Sequence, residues 1–303
     1  MNIVLSTDDN YAQHCAVTIT SICQHNRDVK LYIVTDGLCE ENLKILQSVV
    51  FGGGEIHFLY VDKEKIRKDF PMPVNTEISH ISLATYYRLF LAELVPVDVE
   101  KILYLDCDMI VRDSLDELWN KDVEGKALAA CYLNNAFGRV KNVYQKLGYS
   151  EEYKYFNAGM LLINLRYWRE HDVQRRFLEY VEKNYENIVY QDQDILNAVC
   201  HKEVLHVEPS FNMDLAYISE DEAENYDVPF EELKRYFFNP VIVHFVSRPK
   251  PWEYGCSHPY CEEYFKYLDM TPYKGWRPSF NWKNYWNFVL RQKVRSIRNR
   301  MKL

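Results

Sequence analysis

The sequence predicts an α/β protein with a Rossmann-like, mostly parallel central sheet and helices on both faces. Three observations carry that expectation. Short apolar runs alternate with amphipathic segments from the first residue onward, which calls for parallel strands joined by helical crossovers. Residues 102–105 (ILYL) and 156–165 (FNAGMLLINL) are continuous apolar runs of the kind that strands covered on both faces require. The first of these runs turns polar at Asp106-Cys107-Asp108, a pair of carboxylates at a strand's C-terminal end, where open α/β sheets bind ligands.

In chain order, residues 2–6 read as a strand, 11–25 as a helix, 31–35 as a strand, 40–50 as a helix and 56–61 as a third strand. The glycines at 52–54 precede a strand instead of opening a helix, so they read as a turn and not a phosphate loop. Asp8-Asp9-Asn10-Tyr11 ends the first strand. It reads either as a helix cap or as an acid, an amide and a ring able to hold a flat heterocycle. Residues 63–75 form a charged, Pro-containing connection, and 80–95 a helical stretch in which Arg88 needs an anionic partner.

In an extended segment residues i and i+2 share a side, so Asp106 and Asp108 can face one cation, and two hard oxygens suit Mg²⁺ or Mn²⁺ better than Zn²⁺. Ser114 and Glu117 fit a capping box, residues 127–132 a strand, and 169–184 an amphipathic helix. Gln191-Asp192-Gln193-Asp194 interleaves amides and acids at a helix start, dense chemistry for sugar hydroxyls as well as ordinary partners for the helix dipole. Residues 211–239 read as an acidic, irregular lobe. His244 lies within the strand at 240–246, and Lys250 sits between two prolines before Trp252, pre-positioned as a phosphate clamp would be.

The chain has 303 residues, 48% of them hydrophobic, enough for one large domain with an appendage. Its net charge of −8 is uneven, because residues 274–303 carry nine Lys and Arg and no acid. The remainder is strongly acidic, which argues against nucleic-acid binding. The eight cysteines lack a disulfide framework and read as reduced, and Cys256, His258 and Cys261 lack the second pair that a zinc site needs. The N-terminus lacks a basic signal region and no run reaches transmembrane length, so a cytoplasmic protein is expected. In residues 281–303, Trp282, Trp286, Leu290, Val294, Ile297 and Met301 recur every three or four positions between basic residues. That pattern describes an interfacial helix for an anionic membrane surface.

DDNY, ISLATYYRL, LYLDCDMIV, FNAGMLLINL, YQDQDILN and the His244 to Lys250-Pro-Trp segment occur in one order over residues 1–255. Together they resemble glycosyltransferase family 8, most closely the bacterial lipopolysaccharide galactosyltransferases and glucosyltransferases. The resemblance implies a GT-A fold in residues 1–255, with a nucleotide-binding part over 1–112, an acceptor-binding part over 113–255, and a membrane-associating region over 256–303. It implies a retaining transfer of galactose or glucose from a UDP-sugar to a glycan or glycolipid hydroxyl, with Mn²⁺ as cofactor and Mg²⁺ as second choice. By position, Asp106, Asp108 and His244 would bind the metal, Asp8, Asn10 and Tyr11 the uracil, and Lys250 the diphosphate. Arg88, Asn157, Asp192 and Gln193 would surround the sugar, with Asp192 and Gln193 as catalytic candidates. Gln193 holds the family's nucleophile position, but an amide oxygen is a poor nucleophile, which favours same-face attack by the acceptor. Ser247 stands where the family commonly has glycine, leaving a non-catalytic sugar-nucleotide-binding module of the same fold as the alternative. The acceptor site carries no transferable motif.

Overall fold

The computed structural model describes residues 1–69, 83–133 and 142–280, together with Trp282 and Trp286. The rest of the basic, aromatic stripe predicted over 281–303, and the segment at 134–141, lie outside these residues. Seven strands form the main sheet in the order β3-β2-β1-β4-β7-β6-β8. They are β1 (Asn2–Ser6), β2 (Lys30–Thr35), β3 (Glu55–Tyr60), β4 (Lys101–Leu105), β6 (Leu128–Leu133), β7 (Tyr155–Asn164) and β8 (Val204–Val207). A two-stranded antiparallel sheet of β5 (Met109–Val111) and β9 (Ile242–His244) lies beside it, with Met109 opposite His244.

The apolar runs have a direct physical reading. Alternate residues of a strand face opposite sides, and both sides of this sheet are covered. Val4, Ile102 and Tyr104 enter one core with Phe156, Trp168 and Phe177. Ile3, Leu5, Leu103 and Leu105 enter another with Ile19, Ile22 and Met160. Helices Ala12–His25 and Glu40–Ser48 connect β1 to β2 and β2 to β3, as the alternation predicts.

Five local expectations are modified. β7 runs antiparallel to both β4 and β6, since an apolar run reports burial but not direction. The stretch at 80–95 is a 3₁₀ helix, Leu83–Phe90, followed by the short helix Leu91–Leu94. The segment at 169–184 is divided between helices Leu165–Glu170 and Val173–Asn184, with Asp172 left-handed at φ 48° between them. Ser114 caps the N–H of Asp116 instead of forming a capping box with Glu117. The lobe at 211–239 contains helices Glu220–Asn225 and Phe230–Phe238 around buried Met213, Tyr226 and Leu233.

After β4 the chain passes through Asp106-Cys107-Asp108 into β5, and helix Ala12–His25 clamps that turn. Thr18 Oγ1 lies 3.0 Å from Cys107 O and 2.8 Å from Met109 O, and Ser21 Oγ accepts the Val111 N–H at 2.9 Å. Helix Cys261–Leu268 packs Tyr264 and Phe265 against Ile110, Val243 and Phe245, so residues beyond the small sheet buttress it. Thr18→Val, of similar shape, leaves those buried carbonyls without their donor. It should lower stability by about 1–3 kcal/mol, read as a fall in the urea midpoint at unchanged m-value.

Candidate active site

Asp106 and Asp108 point into a cleft of about 340 Å³ at the C-terminal edge of β1 and β4, lined also by Asp8, Asn10, Tyr11 and Arg88. The two oxygens of each carboxylate are divided between partners. Asp106 Oδ1 accepts from Arg88 Nη2 and Tyr104 Oη, both at 2.8 Å, while its Oδ2 lies 3.8 Å from His244 Nε2. Asp108 Oδ2 accepts from Lys250 Nζ at 2.6 Å, while its Oδ1 lies 3.1 Å from His244 Nε2. Burial opposes ionisation of Asp108, but Lys250 and His244 outweigh it and hold its pKa well below the usual carboxylate range. β5 and β9 bring His244 here by register, across the pair Met109–His244.

The donor set fits a hard divalent cation. Ligand bonds of about 2.1 Å at right angles set neighbouring ligand atoms about 3 Å apart; Asp108 Oδ1 and His244 Nε2 stand at 3.1 Å, Asp106 Oδ2 is 3.8 Å from the same nitrogen, and the three ligand atoms all lie within 4.8 Å of one another. No other such cluster of His, Cys, Asp and Glu occurs among the described residues. The Cys256, His258 and Cys261 segment accordingly makes no such group.

Arg88 is the hub on the other side. Its Nη1 donates to Ala158 O and its Nε to Thr85 O, and the guanidinium lies over the Tyr104 ring at 4.3 Å. Asp192 Oδ2 sits 2.8 Å from Arg88 Nε but off the N–H axis, an ion pair without a hydrogen bond, so this buried oxygen has no donor. Burial, only partly offset by Arg88, raises the Asp192 pKa to about 7.

Gln193 is fully engaged. Its Oε1 accepts the Ala158 N–H at 3.0 Å and its Nε2 donates to Tyr155 Oη at 2.9 Å. Tyr155 in turn donates to Asp194, whose other oxygen accepts the N–H groups of Val189 and Tyr190, each at 2.7 Å. Asp194, 1% exposed, therefore braces the turn that enters the helix at Gln191 (φ 41°) instead of facing a sugar.

Asp8 Oδ1 accepts the N–H groups of Asn10 and Tyr11, closing the turn ahead of helix Ala12–His25 without capping the helix itself, and Tyr11 stands exposed at the cleft's rim. Trp252 meets Tyr11 edge-on at 6.1 Å and stacks on His14 at 3.7 Å, fastening the Lys250 loop to the first helix. Ser247 is exposed and its φ is not positive, so its backbone needs no glycine. Sequence reasoning missed Tyr104, His14, Tyr155 and Asn212. His14, Tyr155 and Asn212 work through partners distant in the chain and sit in no motif, while Tyr104 lies within LYLDCDMIV and reads there as a core strand residue.

The sequence between these residues agrees with their geometry. A model of glycosyl transferase family 8 matches residues 2–256. The chain belongs to glycosyltransferase family 8. General stress protein A of Bacillus subtilis is 29% identical over 278 residues, covering 89% of this transferase and 94% of that protein. Glycosyltransferase GlyE of Streptococcus pneumoniae is 29% identical over 258 residues, 82% of this chain and 56% of GlyE. The crystal structure of galactosyltransferase LgtC in complex with donor and acceptor sugar analogues superposes with a TM-score of 0.76 at 31% identity, covering 90% of this chain and 96% of LgtC. The fold is thus GT-A, and family and triad together make the chain a metal-dependent glycosyl-transferring enzyme.

Gly159, on β7 opposite the metal-binding turn, gives a direct test of this packing. A Cβ there would stand 2.3 Å from His244 Cε1 and 2.9 Å from both Asn157 Oδ1 and Asp106 Oδ2. Gly159→Ala must push the imidazole or Asp106 aside. Transfer should fall by about 10²-fold and Mn²⁺ should bind more weakly, read by steady-state kinetics and by electron paramagnetic resonance of free Mn²⁺.

Proposed function

We propose that this transferase moves galactose or glucose from a UDP-sugar to a hydroxyl of a glycan or glycolipid, with retention at the anomeric carbon and Mn²⁺, or Mg²⁺ in its place, as cofactor. The observation that carries the reading is the meeting of Asp106, Asp108 and His244 beside a buried, donor-less Asp192 oxygen. Similarity to a galactosyltransferase supports the hexose class. Residues 1–112 serve the nucleotide and 113–255 the acceptor, with 256–303 assigned to the membrane.

In this reading Asp106, Asp108 and His244 hold the cation, which, when bound, acts as Lewis acid toward the donor diphosphate. Asp8, Asn10 and Tyr11 receive the uracil, with Tyr11 offering its face. Lys250 exchanges Asp108 for the leaving phosphate, where its charge counts most as negative charge develops in the transition state, and the hydroxyl of exposed Ser247 lies three residues earlier in the chain. Arg88 orients Asp192, whose free oxygen accepts a hydroxyl of the transferred sugar, and Asn157 donates to the same sugar. Gln193 Oε1 is occupied by Ala158 N–H, so Gln193 shapes the subsite and is not the nucleophile. Same-face attack follows: the acceptor oxygen bonds to C1 as the bond from C1 to phosphate breaks, and the acceptor's proton passes to the phosphate oxygen.

Incubation with Mn²⁺ and UDP-galactose or UDP-glucose should release UDP slowly, faster with glycan acceptors, and EDTA should stop it. Binding without turnover would support a non-catalytic module instead. Asp192→Asn should cut turnover by about 10²–10³-fold at near-wild-type UDP affinity. Near-full activity would remove its catalytic role.

We further assign the C-terminal region to an anionic membrane at the cytoplasmic face, where lipopolysaccharide or another cell-surface glycan would be the acceptor. Support comes from Trp276, Phe280, Trp282 and Trp286, all exposed, and from the basic residues between and after them. No helix among the described residues is long and apolar enough to cross a membrane. Deleting residues 281–303 spares the paired hydrogen bonds of Arg277 to Asp269. It should abolish co-sedimentation with phosphatidylglycerol vesicles while UDP binding persists; unchanged sedimentation would refute the assignment.

A further inference from the structure

Asn212 follows a 3₁₀ turn, Pro209–Phe211, that docks on β9: Met213 N donates to Ile242 O at 3.0 Å and His244 N to Met213 O at 2.9 Å. This places the Asn212 side chain, 3% exposed, between two residues of the site. Its Nδ2 donates to Asn157 Oδ1 at 2.8 Å and its Oδ1 lies 2.9 Å from His244 Nδ1.

The direction of every bond in this chain is fixed by one backbone group. Gly159 N–H can only donate, and it donates to the Asn157 side chain at 2.9 Å, so that atom is Oδ1. The Asn212 atom facing the same oxygen must therefore be a donor, Nδ2, and its other end an acceptor, Oδ1. His244 Nδ1 must then carry a proton, and Nε2 is the nitrogen turned toward Asp106 and Asp108. At the other end, the same bonds leave the Asn157 Nδ2–H groups without an acceptor among the described residues.

We propose that Asn212 is a positioning residue that couples donor-sugar recognition to metal ligation: one amide sets the tautomer of His244 and the orientation of Asn157 together. The proposal rests on the UDP-sugar reading above. A hydrogen-bond partner of a metal-bound histidine typically contributes about 10–100-fold to metal affinity. The amide also ensures that Asn157 presents donors, and not its oxygen, to the sugar.

The test uses two variants of the full chain at pH 8. Asn212→Asp keeps an acceptor for His244 Nδ1–H but has no donor for Asn157 Oδ1, whereas Asn212→Ala removes both functions. Mn²⁺ affinity in the presence of UDP is read by electron paramagnetic resonance, and the Kd for UDP-galactose and UDP-glucose relative to UDP by calorimetry. Asn212→Asp should hold Mn²⁺ within about 3-fold of wild type while its Kd ratio for sugar nucleotide over UDP rises about 10-fold, and Asn212→Ala should lose about 10–100-fold in Mn²⁺ affinity as well. Equal losses of Mn²⁺ in the two variants would mark Asn212 as scaffold only, and wild-type behaviour of both would also overturn the coupling. A wild-type protein that binds no Mn²⁺ with UDP would overturn the UDP-sugar reading itself. Asn212→Asp is nearly isosteric and keeps the test open should Asn212→Ala fail to fold.

Discussion

Gathering half-buried Asp106 and Asp108 and buried Asp192 around one cleft sets the constraint that the rest of the site answers. A carboxylate withdrawn from water without a partner costs on the order of several kcal/mol or takes up a proton, so each has a cation nearby. Arg88 supplies one between Asp106 and Asp192, Lys250 another at Asp108. Guanidinium is suited to the first position because its fixed fork reaches two acids and two backbone carbonyls at once. Lysine suits the second, where a single ammonium meets Asp108 and the Phe245 carbonyl.

The cations leave one oxygen of each carboxylate of the Asp-x-Asp pair turned toward His244, so the protein's own charges divide the site into a held side and an open side. Asp192 differs from that pair. Its pKa of about 7 reflects burial that Arg88 offsets only in part, and its Oδ2 keeps an unused acceptor among the described residues. Gln193, by contrast, has both ends of its amide committed to Ala158 and Tyr155. Adjacent residues on one helical turn thus differ, one with an acceptor left open and the other bonded at both ends of its amide.

The scaffold around these groups is stiff where it matters. Thr18 and Ser21 hold the turn between β4 and β5, Gly159 allows β7 to pass against the His244 ring, and Trp252 stacks on His14 to anchor the loop that carries Lys250. Tyr264 also reaches His14, with 2.7 Å between its Oη and Nδ1, which ties helix Cys261–Leu268 to the nucleotide end of the cleft. Burial lowers the His14 pKa to about 3, so this aromatic stack is uncharged at neutral pH.

Much of this was legible in the chain itself. Continuous apolar runs identified the covered strands, because burial on both faces erases the alternation that a half-exposed strand shows. The polar break at Asp106 marked the sheet's functional edge, and the ordered set of short motifs gave the family. Strand direction was not legible, as β7 shows, since side-chain pattern is the same whichever way a strand runs. Nor was the division of labour within Gln191-Asp192-Gln193-Asp194, where identical residue types acquire different roles from what lies opposite. Local sequence thus determined the elements, the edge and the candidate ligands, because these depend on periodicity and residue chemistry over a few positions. Only the tertiary structure decided which carboxylate oxygen is free, which amide is spent and which way each hydrogen bond runs, because those depend on partners such as Asn212, Arg88 and Tyr155 that the fold, and not the chain order, brings together.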